Sequence, residues 1–472
     1  MYLILDMVIN HMDYDSTFVK EHPDWFHRYG SIQDWNDTFQ LENYRVSGLP
    51  DFASENPEVK KFLFDMSKYW IDEVNPDGFR LDAVKHVPIE FWAEYNDEMR
   101  KYAGNDFLLL GEVLHGDPEY CKYFLNKGKF SSLFDFPVYY SMLEVFANEK
   151  SAKIFGLRFY DDFKYNNPEL IAPILDNHDL ERFIHSCKGD IKKFKMGLCM
   201  LFTIRGIPTI YYGTEIALEG KEEPDNRRDM RFGENPEITE FIKKLTRIRL
   251  SSEALKKGIQ VQNYQDDVVY SFSRVSSDEQ AIVVLNNSKK EETREIPLFV
   301  TPKISDGILK SITLDDQNKI SKVKNGVLYI TLQPKSFEIF IQKARPKTYN
   351  SFILNYLKLR SDRGKDGIIP ITFNLKVDLK KNEQVYVIGS VEHLGKWNKD
   401  NTVGPMIFDK LKGKYSVSVK LPIGAIFEYK YIIKSGKKII WQPKDNYYIE
   451  LPYDKREMIL NDSWDKRKYV GK

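Results

Sequence analysis

Short apolar runs alternate with amphipathic stretches over the first 252 residues of the chain. The runs at 2–9, 78–84, 107–113, 132–136, 171–175 and 208–212 have the length and the flanking turn residues of buried strands. Stretches of helical period lie between them. Over 56–73, Val59, Phe62, Leu63, Met66, Tyr69 and Trp70 recur at helical spacing, and Pro57 stands near the first helical position. Residues 89–102 and 191–203 repeat that period. Strand–helix alternation predicts an α/β fold over residues 1–252, a parallel sheet covered by helices. Residues 12–50 break the rhythm. Polar, aromatic and rich in turn formers, they read as a short inserted loop domain over the C-terminal edge of the sheet.

From residue 253 the period changes to that of strands. Runs at 267–275, 280–286, 326–332 and 336–342, separated by Asn, Asp, Ser, Gly and Lys turns, predict a small antiparallel β domain over 253–345. Residues 346–367 have the mixed polar composition of a linker. A second β-rich unit follows over 368–472, with strands near 371–377, 384–389, 414–420 and 425–433.

Composition narrows the partners more than the fold. A formal net charge of +1 gives no electrostatic reason to expect nucleic acid or an anionic membrane as partner. No apolar stretch is long enough to predict a transmembrane helix, and the N-terminal run to Asp6 lacks the charged region and apolar core of a signal peptide. Cys121, Cys187 and Cys199 form no CxxC pair and no zinc-ligand spacing, so they read as buried or idle thiols. Aromatic residues make up 14% of the chain. They suit core packing or stacking on sugar rings, and composition alone does not separate the two.

Four predicted strand ends carry the candidate chemistry: Asp6-Met7-Val8-Ile9-Asn10-His11, the stretch from Gly78 through Arg80 and Asp82 to Lys85-His86, Gly111-Glu112-Val113, and Asp176-Asn177-His178-Asp179. Alternation on a strand puts Arg80 and Asp82 on one side, with Phe79 and Leu81 facing the helices. The arginine favours an ionised Asp82, as a nucleophile requires. Glu112 ends a strongly apolar run, where desolvation raises a carboxyl pKa and suits a proton donor. Two carboxyl groups in such different settings form the acid and nucleophile pair of a retaining glycosidase. Singly, each residue is better explained as a helix cap, a structural ion pair or a satisfied hydrogen bonder. Their joint occurrence, in this order, on the ends of one alternating pattern argues for catalysis.

The four motifs closely resemble those of the α-amylase family, glycoside hydrolase family 13, which run DxxxNH, GxRxDxxKH, GE and NHD. The resemblance covers residues 2 to about 345. It implies a (β/α)8 TIM barrel, with Asp82 as nucleophile, Glu112 as general acid/base and Asp179 as transition-state stabiliser. It further implies that Arg80, His11 and His178 line the non-reducing side of the cut, and Lys85 and His86 the leaving-group side. Leu49-Pro50-Asp51 looks like another family motif. In relatives that bind a structural calcium, Asn10, Asp51 and the His86 carbonyl occupy ligand positions, so calcium is the one cofactor implied; no organic cofactor is expected. Those three oxygens fall short of a calcium shell.

The last hundred residues are similar to starch-binding modules of carbohydrate-binding family 20. By that resemblance Trp397 and Trp441 stack on glucose, while Lys430 and Asn446 hydrogen-bond hydroxyls; Gln442 stands where many relatives carry Glu. The implied partners are starch, maltooligosaccharides and related α-glucans, and the implied place of work is extracellular. Two alternatives stay open: a glucan transferase or cyclodextrin-forming enzyme, which shares every catalytic residue named, and an inactive chain that only binds starch. The second arises because the Asp6 motif belongs to the third strand of the family's barrel. The first two β/α units are therefore expected to be missing, as in a piece of a longer product, one with a misplaced start, or a chain that pairs with another copy.

Overall fold

A computed structural model describes residues 1–298, 306–312, 320–343, 368–422, 425–443, 446–451 and 457–464, together with Ile353, Leu354 and Leu357. The chain forms two compact units, Met1–Asn350 and Ser351–Lys472. Most of the linker expected over 346–367 lies outside the described residues.

In the first unit, β1 (Ile4–Met7), β2 (Gly78–Leu81), β3 (Leu108–Gly111) and β4 (Ser132–Leu133) form a parallel sheet in that order. The register aligns Asp6 with Arg80 and Arg80 with Leu110. Two further segments continue the sheet without becoming regular strands, which corrects the expectation for 171–175 and 208–212. Ala172 N–H donates to the Leu133 carbonyl at 2.9 Å, and Ile207 and Thr209 N–H donate to the carbonyls of Ile171 and Pro173 at 2.9 and 3.0 Å. Pro173 and Pro208 have no N–H to give, so each breaks the ladder it sits in. Helices follow the strand positions, in the order of a (β/α)8 barrel of which six strand positions lie among the described residues.

The helix Pro57–Val74 starts where the sequence places it. The Asn56 side chain accepts from Glu58 N–H, Pro57 opens the first turn, and Asn75 ends the helix in the left-handed region. It buries Val59, Leu63, Ser67 and Ile71, one residue per turn. The next helix, Ile89–Ala103, buries Trp92 and Tyr95; the indole donates to the Val84 carbonyl at 2.9 Å and the phenol to Ser67 of the preceding helix at 2.7 Å. Phe79, Leu81 and Leu109 are fully buried beneath these helices.

Beyond the barrel region lie two antiparallel sheets. One orders β5 (Ile259–Gln265), β6 (Val269–Val275), β7 (Glu279–Asn286) and β12 (Ser336–Lys343); the other orders β8 (Glu292–Pro297), β11 (Val327–Leu332), β10 (Ile320–Lys324) and β9 (Asp306–Lys310). Only four of these eight strands are legible in the sequence. β5 buries Gln260 and Asn263, and a bulge at Gln262/Tyr264 breaks its alternation. Phe272 and Leu285 pack against the apolar face of helix Ile191–Thr203, so this sheet shares the barrel's second core.

The second unit is a pair of sheets, β15 (Ile407–Asp409), β16 (Lys414–Pro422), β13 (Ile368–Lys376), β20 (Met458–Ser463), and β14 (Gln384–Gly389), β17 (Ile426–Ser435), β18 (Lys438–Trp441), with β19 (Tyr447–Glu450) also on β17. Phe373 meets Tyr429 edge-on at 4.9 Å, and the Tyr429 and Tyr431 hydroxyls both donate to Asp462, which joins the two inner faces as a β-sandwich. Trp441 is the last residue of β18.

Candidate active site

The parallel register delivers the acids to one rim. Asp6 sits in β1, Asp82 follows β2 by one residue and Glu112 follows β3 by one residue. Their backbones stay in ladder: Asp82 N–H donates to the Met7 carbonyl at 3.1 Å, Glu112 N–H to Leu81 at 2.9 Å and Val84 N–H to Glu112 at 3.1 Å. Ala83 takes a left-handed conformation and turns the chain into the short helical turn Val84–His86. Arg80 Nη1 donates to Asp6 Oδ1 at 2.8 Å and to Asp82 Oδ1 at 2.6 Å, while its Nη2 lies 2.6 Å from Glu112 Oε2. One guanidinium therefore gathers carboxylates from three neighbouring strands.

Glu112 is only 5% exposed. Burial pushes its carboxyl up to about 7; the Arg80 charge opposes that rise, while Asp82 and Asp179 add to it. The Asn177 amide donates to its other oxygen at 3.2 Å. The group can thus carry a proton near neutrality and give it up again. His11 is lowered by burial, with Asp82 opposing. Its Nδ1 accepts from the Asn10 amide at 3.3 Å, which leaves Nε2 as the N–H donor.

Asp179 is half-exposed and anchored from a segment the sequence did not single out. Arg227 Nη2 donates to its Oδ1 at 3.0 Å, and His178 Nε2 lies 3.1 Å from its Oδ2. Arg227 Nε and the Asn226 amide also hold the His178 carbonyl. Asp176, at the head of the same motif, is fully buried and accepts from Phe183 N–H and Thr214 Oγ1, so it fixes the turn and does not face the rim.

On the other side, Lys85 Nζ donates to the Leu114 carbonyl at 3.3 Å, and burial lowers its pKa. The His86 ring is buried, lowered to about 4 by that burial, and donates from Nδ1 to the Leu41 carbonyl. Above both stands Trp35, 55% exposed, with Lys85 Nζ at 5.3 Å from its ring and His86 edge-on at 5.9 Å. Trp35 was missed because nothing in the pattern of residues 12–50 ties it to the rim.

Of the calcium candidates, Asp51 is 1% exposed and its Oδ2 accepts from His27 Nδ1 at 2.7 Å; the same ring's Nε2 lies 3.0 Å from Glu55 Oε1. Asn10 is buried nearby. Among the described residues no three His, Cys, Asp or Glu side chains are grouped to hold a metal. His27 is another residue the sequence did not reveal. The three cysteines are buried.

In the C-terminal unit, Glu428 and Lys430 alternate along one side of β17, and Trp441 pairs with Ile432 two residues further on. Trp441 is 43% exposed. The Asn446 amide donates to Glu428 Oε2 at 3.0 Å, and Trp397, in a left-handed conformation, hangs from the Gly389 carbonyl at 2.9 Å. Gln442 is turned inward: its amide nitrogen donates to the carbonyls of Ser463 and Trp464 and to the Tyr447 hydroxyl. A glutamate could not make these donations when ionised.

Among the described residues no helix is long and apolar enough to cross a membrane. The family description "Alpha amylase, catalytic domain" matches residues 1–247, and "Starch binding domain" matches residues 368–459. A Beta/alpha-amylase of Paenibacillus polymyxa is 34% identical over 355 residues, which cover 72% of this chain and 29% of that protein. A cyclomaltodextrinase of Thermoanaerobacter pseudethanolicus is 32% identical over 312 residues, 61% of this chain and 53% of that protein. The crystal structure of an alpha-amylase from Geobacillus thermoleovorans, complexed with acarbose, aligns with a TM-score of 0.67 at 34% identity, over 73% of this chain and 78% of that one. The chain spans about half or less of the length of these two curated relatives. With a catalytic-domain match over more than half of its residues and a starch-binding match behind it, the chain belongs to the alpha-amylase family.

Proposed function

We propose that the chain is a retaining glycoside hydrolase acting on the α-1,4 bonds of starch and related α-glucans, with its C-terminal unit binding the polymer. The observation that carries this reading is the Arg80 guanidinium shared by Asp82 and Glu112, with Glu112 pushed up to about 7 by burial. Two carboxyl groups bracketing one guanidinium favour the short separation of a retaining pair, about 5–5.5 Å, over the wider gap that admits a water. Glu112 gives its proton to the glycosidic oxygen as Asp82 attacks the anomeric carbon. The C–O bond to the leaving sugar breaks and a glycosyl ester forms on Asp82. Glu112, now a carboxylate, takes a proton from water, whose oxygen displaces Asp82. Asp179 supplies negative charge that favours the oxocarbenium-like transition state. His11, Arg80 and His178 fit the non-reducing side, and Lys85 and His86 the leaving-group side beneath Trp35. In the second unit Trp397, Lys430, Trp441 and Asn446 form the starch contact, and a polymeric substrate supports an extracellular place of work.

The test is cleavage of maltooligosaccharides by the chain and by two variants. Asp82→Asn is expected to abolish turnover and Glu112→Gln to lower it about 10²–10⁴-fold. Retained activity of more than a few per cent in Asp82→Asn would refute the assignment. Products longer than the substrate would replace hydrolysis with glucan transfer as the main reaction. Starch adsorption without cleavage by the parent chain would leave only the binding role.

A further inference from the structure

Three stretches of the first unit cross at Asp51. Met12 N–H donates to the Pro50 carbonyl, Phe52 N–H to Asn10, His27 N–H to Asp51 and Ala53 N–H to Trp25, at 2.8–3.1 Å. The crossing pins both ends of the 12–50 excursion to the strand end that carries His11. Its centre holds the Asp51 carboxylate, buried among Phe26, Phe52 and Ile9 in the same core. A carboxylate withdrawn from water this far needs a partner.

The partner present is a side chain of the excursion itself. His27 Nδ1 meets Asp51 Oδ2 at 2.7 Å, its Nε2 meets Glu55 Oε1 at 3.0 Å, and its main-chain N–H donates to the Asp51 carbonyl at 2.9 Å. A calcium ion takes six to eight oxygens at about 2.3–2.6 Å. Here one Asp51 oxygen is already bonded to a ring nitrogen. Glu55 lies beyond the imidazole, the Asn10 carbonyl accepts from Phe52, and the Asn10 side-chain amide serves both His11 and the Asp51 carboxylate. The open Asp51 Oδ1 is a single donor. Even with the His86 carbonyl counted, this donor set falls well short of six oxygens and does not fit the calcium that the family resemblance implies.

We propose that His27 does the work of a metal here: bridging Asp51 and Glu55, it locks the excursion onto the barrel, and the chain needs no calcium at this crossing. The excursion carries Trp35 and the Leu41 carbonyl that holds His86, so the lock also fixes one wall of the rim.

The test reads stability, not activity, so its result is independent of the proposed reaction. Thermal unfolding of the chain is followed after chelation and again with calcium chloride, in the parent, in His27→Gln and in Asp51→Asn. The expected result is one midpoint for the parent with or without calcium, and a midpoint lower by about 3 °C or more in His27→Gln, with earlier proteolysis inside 12–50. A parent midpoint that rises with calcium, the rise being lost in Asp51→Asn, overturns the proposal. A rise that survives Asp51→Asn places calcium elsewhere and upholds it. An unchanged midpoint in His27→Gln also overturns it, and should that variant fail to fold, the parent measurement decides alone.

Discussion

Arg80 reaches three acids because the register of β1, β2 and β3 sets Asp6 beside it and brings Asp82 and Glu112 to the same rim. Its charge is the main brake on the rise of Glu112. The general acid proposed for Glu112 must be protonated to act, so on that proposal kcat/KM of the chain is expected to fall as pH rises through about 7. Arg80→Gln removes the brake, so the alkaline limb should move up by about one unit or more while kcat falls. A limb that stays in place or moves down would show that Arg80 does not govern Glu112. At this scale the sequence was most informative where charged residues close short apolar strands, as at Arg80, Asp82 and Glu112. It was silent where a partner is recruited from afar: His27 stands 24 residues from Asp51, and Arg227 stands 48 from Asp179. No local pattern marks such pairs.

Among the elements, legibility followed regular burial. Helices Pro57–Val74 and Ile191–Thr203 lie within a residue of their expected bounds, because an apolar stripe and a capping residue are both local signals. The expected strands at 171–175 and 208–212 take their places but not their ladders, since proline donates no hydrogen bond. β5 went unseen because it buries amides whose partners lie on other segments: Asn263 donates to Ser273 on β6, and Gln260 accepts from Arg205 N–H. The β17–β18 hairpin puts Lys430 and Trp441 on one side, a placement that alternation foretells only once the hairpin register is known. If this side grips starch, Trp397→Ala and Trp441→Ala should each weaken adsorption to granular starch about thirty-fold, the effect of losing one buried aromatic anchor of about 2 kcal/mol. A phenylalanine at either position should restore part of the loss. Undiminished adsorption would move the contact elsewhere on the unit.

At the scale of the molecule, the barrel region presents apolar surface beside β1. Among the described residues β1 pairs with β2 alone. A groove of about 350 Å³ there is lined by Val8, Ile9, Met12, Phe62, Met66 and Trp70. Contiguous apolar surface of this kind favours association. The chain is therefore expected to show concentration-dependent light scattering, which Trp70→Lys should reduce; equal scattering in that variant would exonerate the groove. The sequence by itself determined the alternation of strands and helices, the two β-rich regions and the order of the acids along the rim. Those follow from periodicity and from chemistry written into short motifs. Only the tertiary structure decided that Arg80 binds three acids at once, that Arg227 steadies Asp179, that Gln442 faces inward, and that His27 stands against Asp51. Such pairings depend on which distant segments the packing brings within a hydrogen bond of each other, and no local stretch of sequence carries that information.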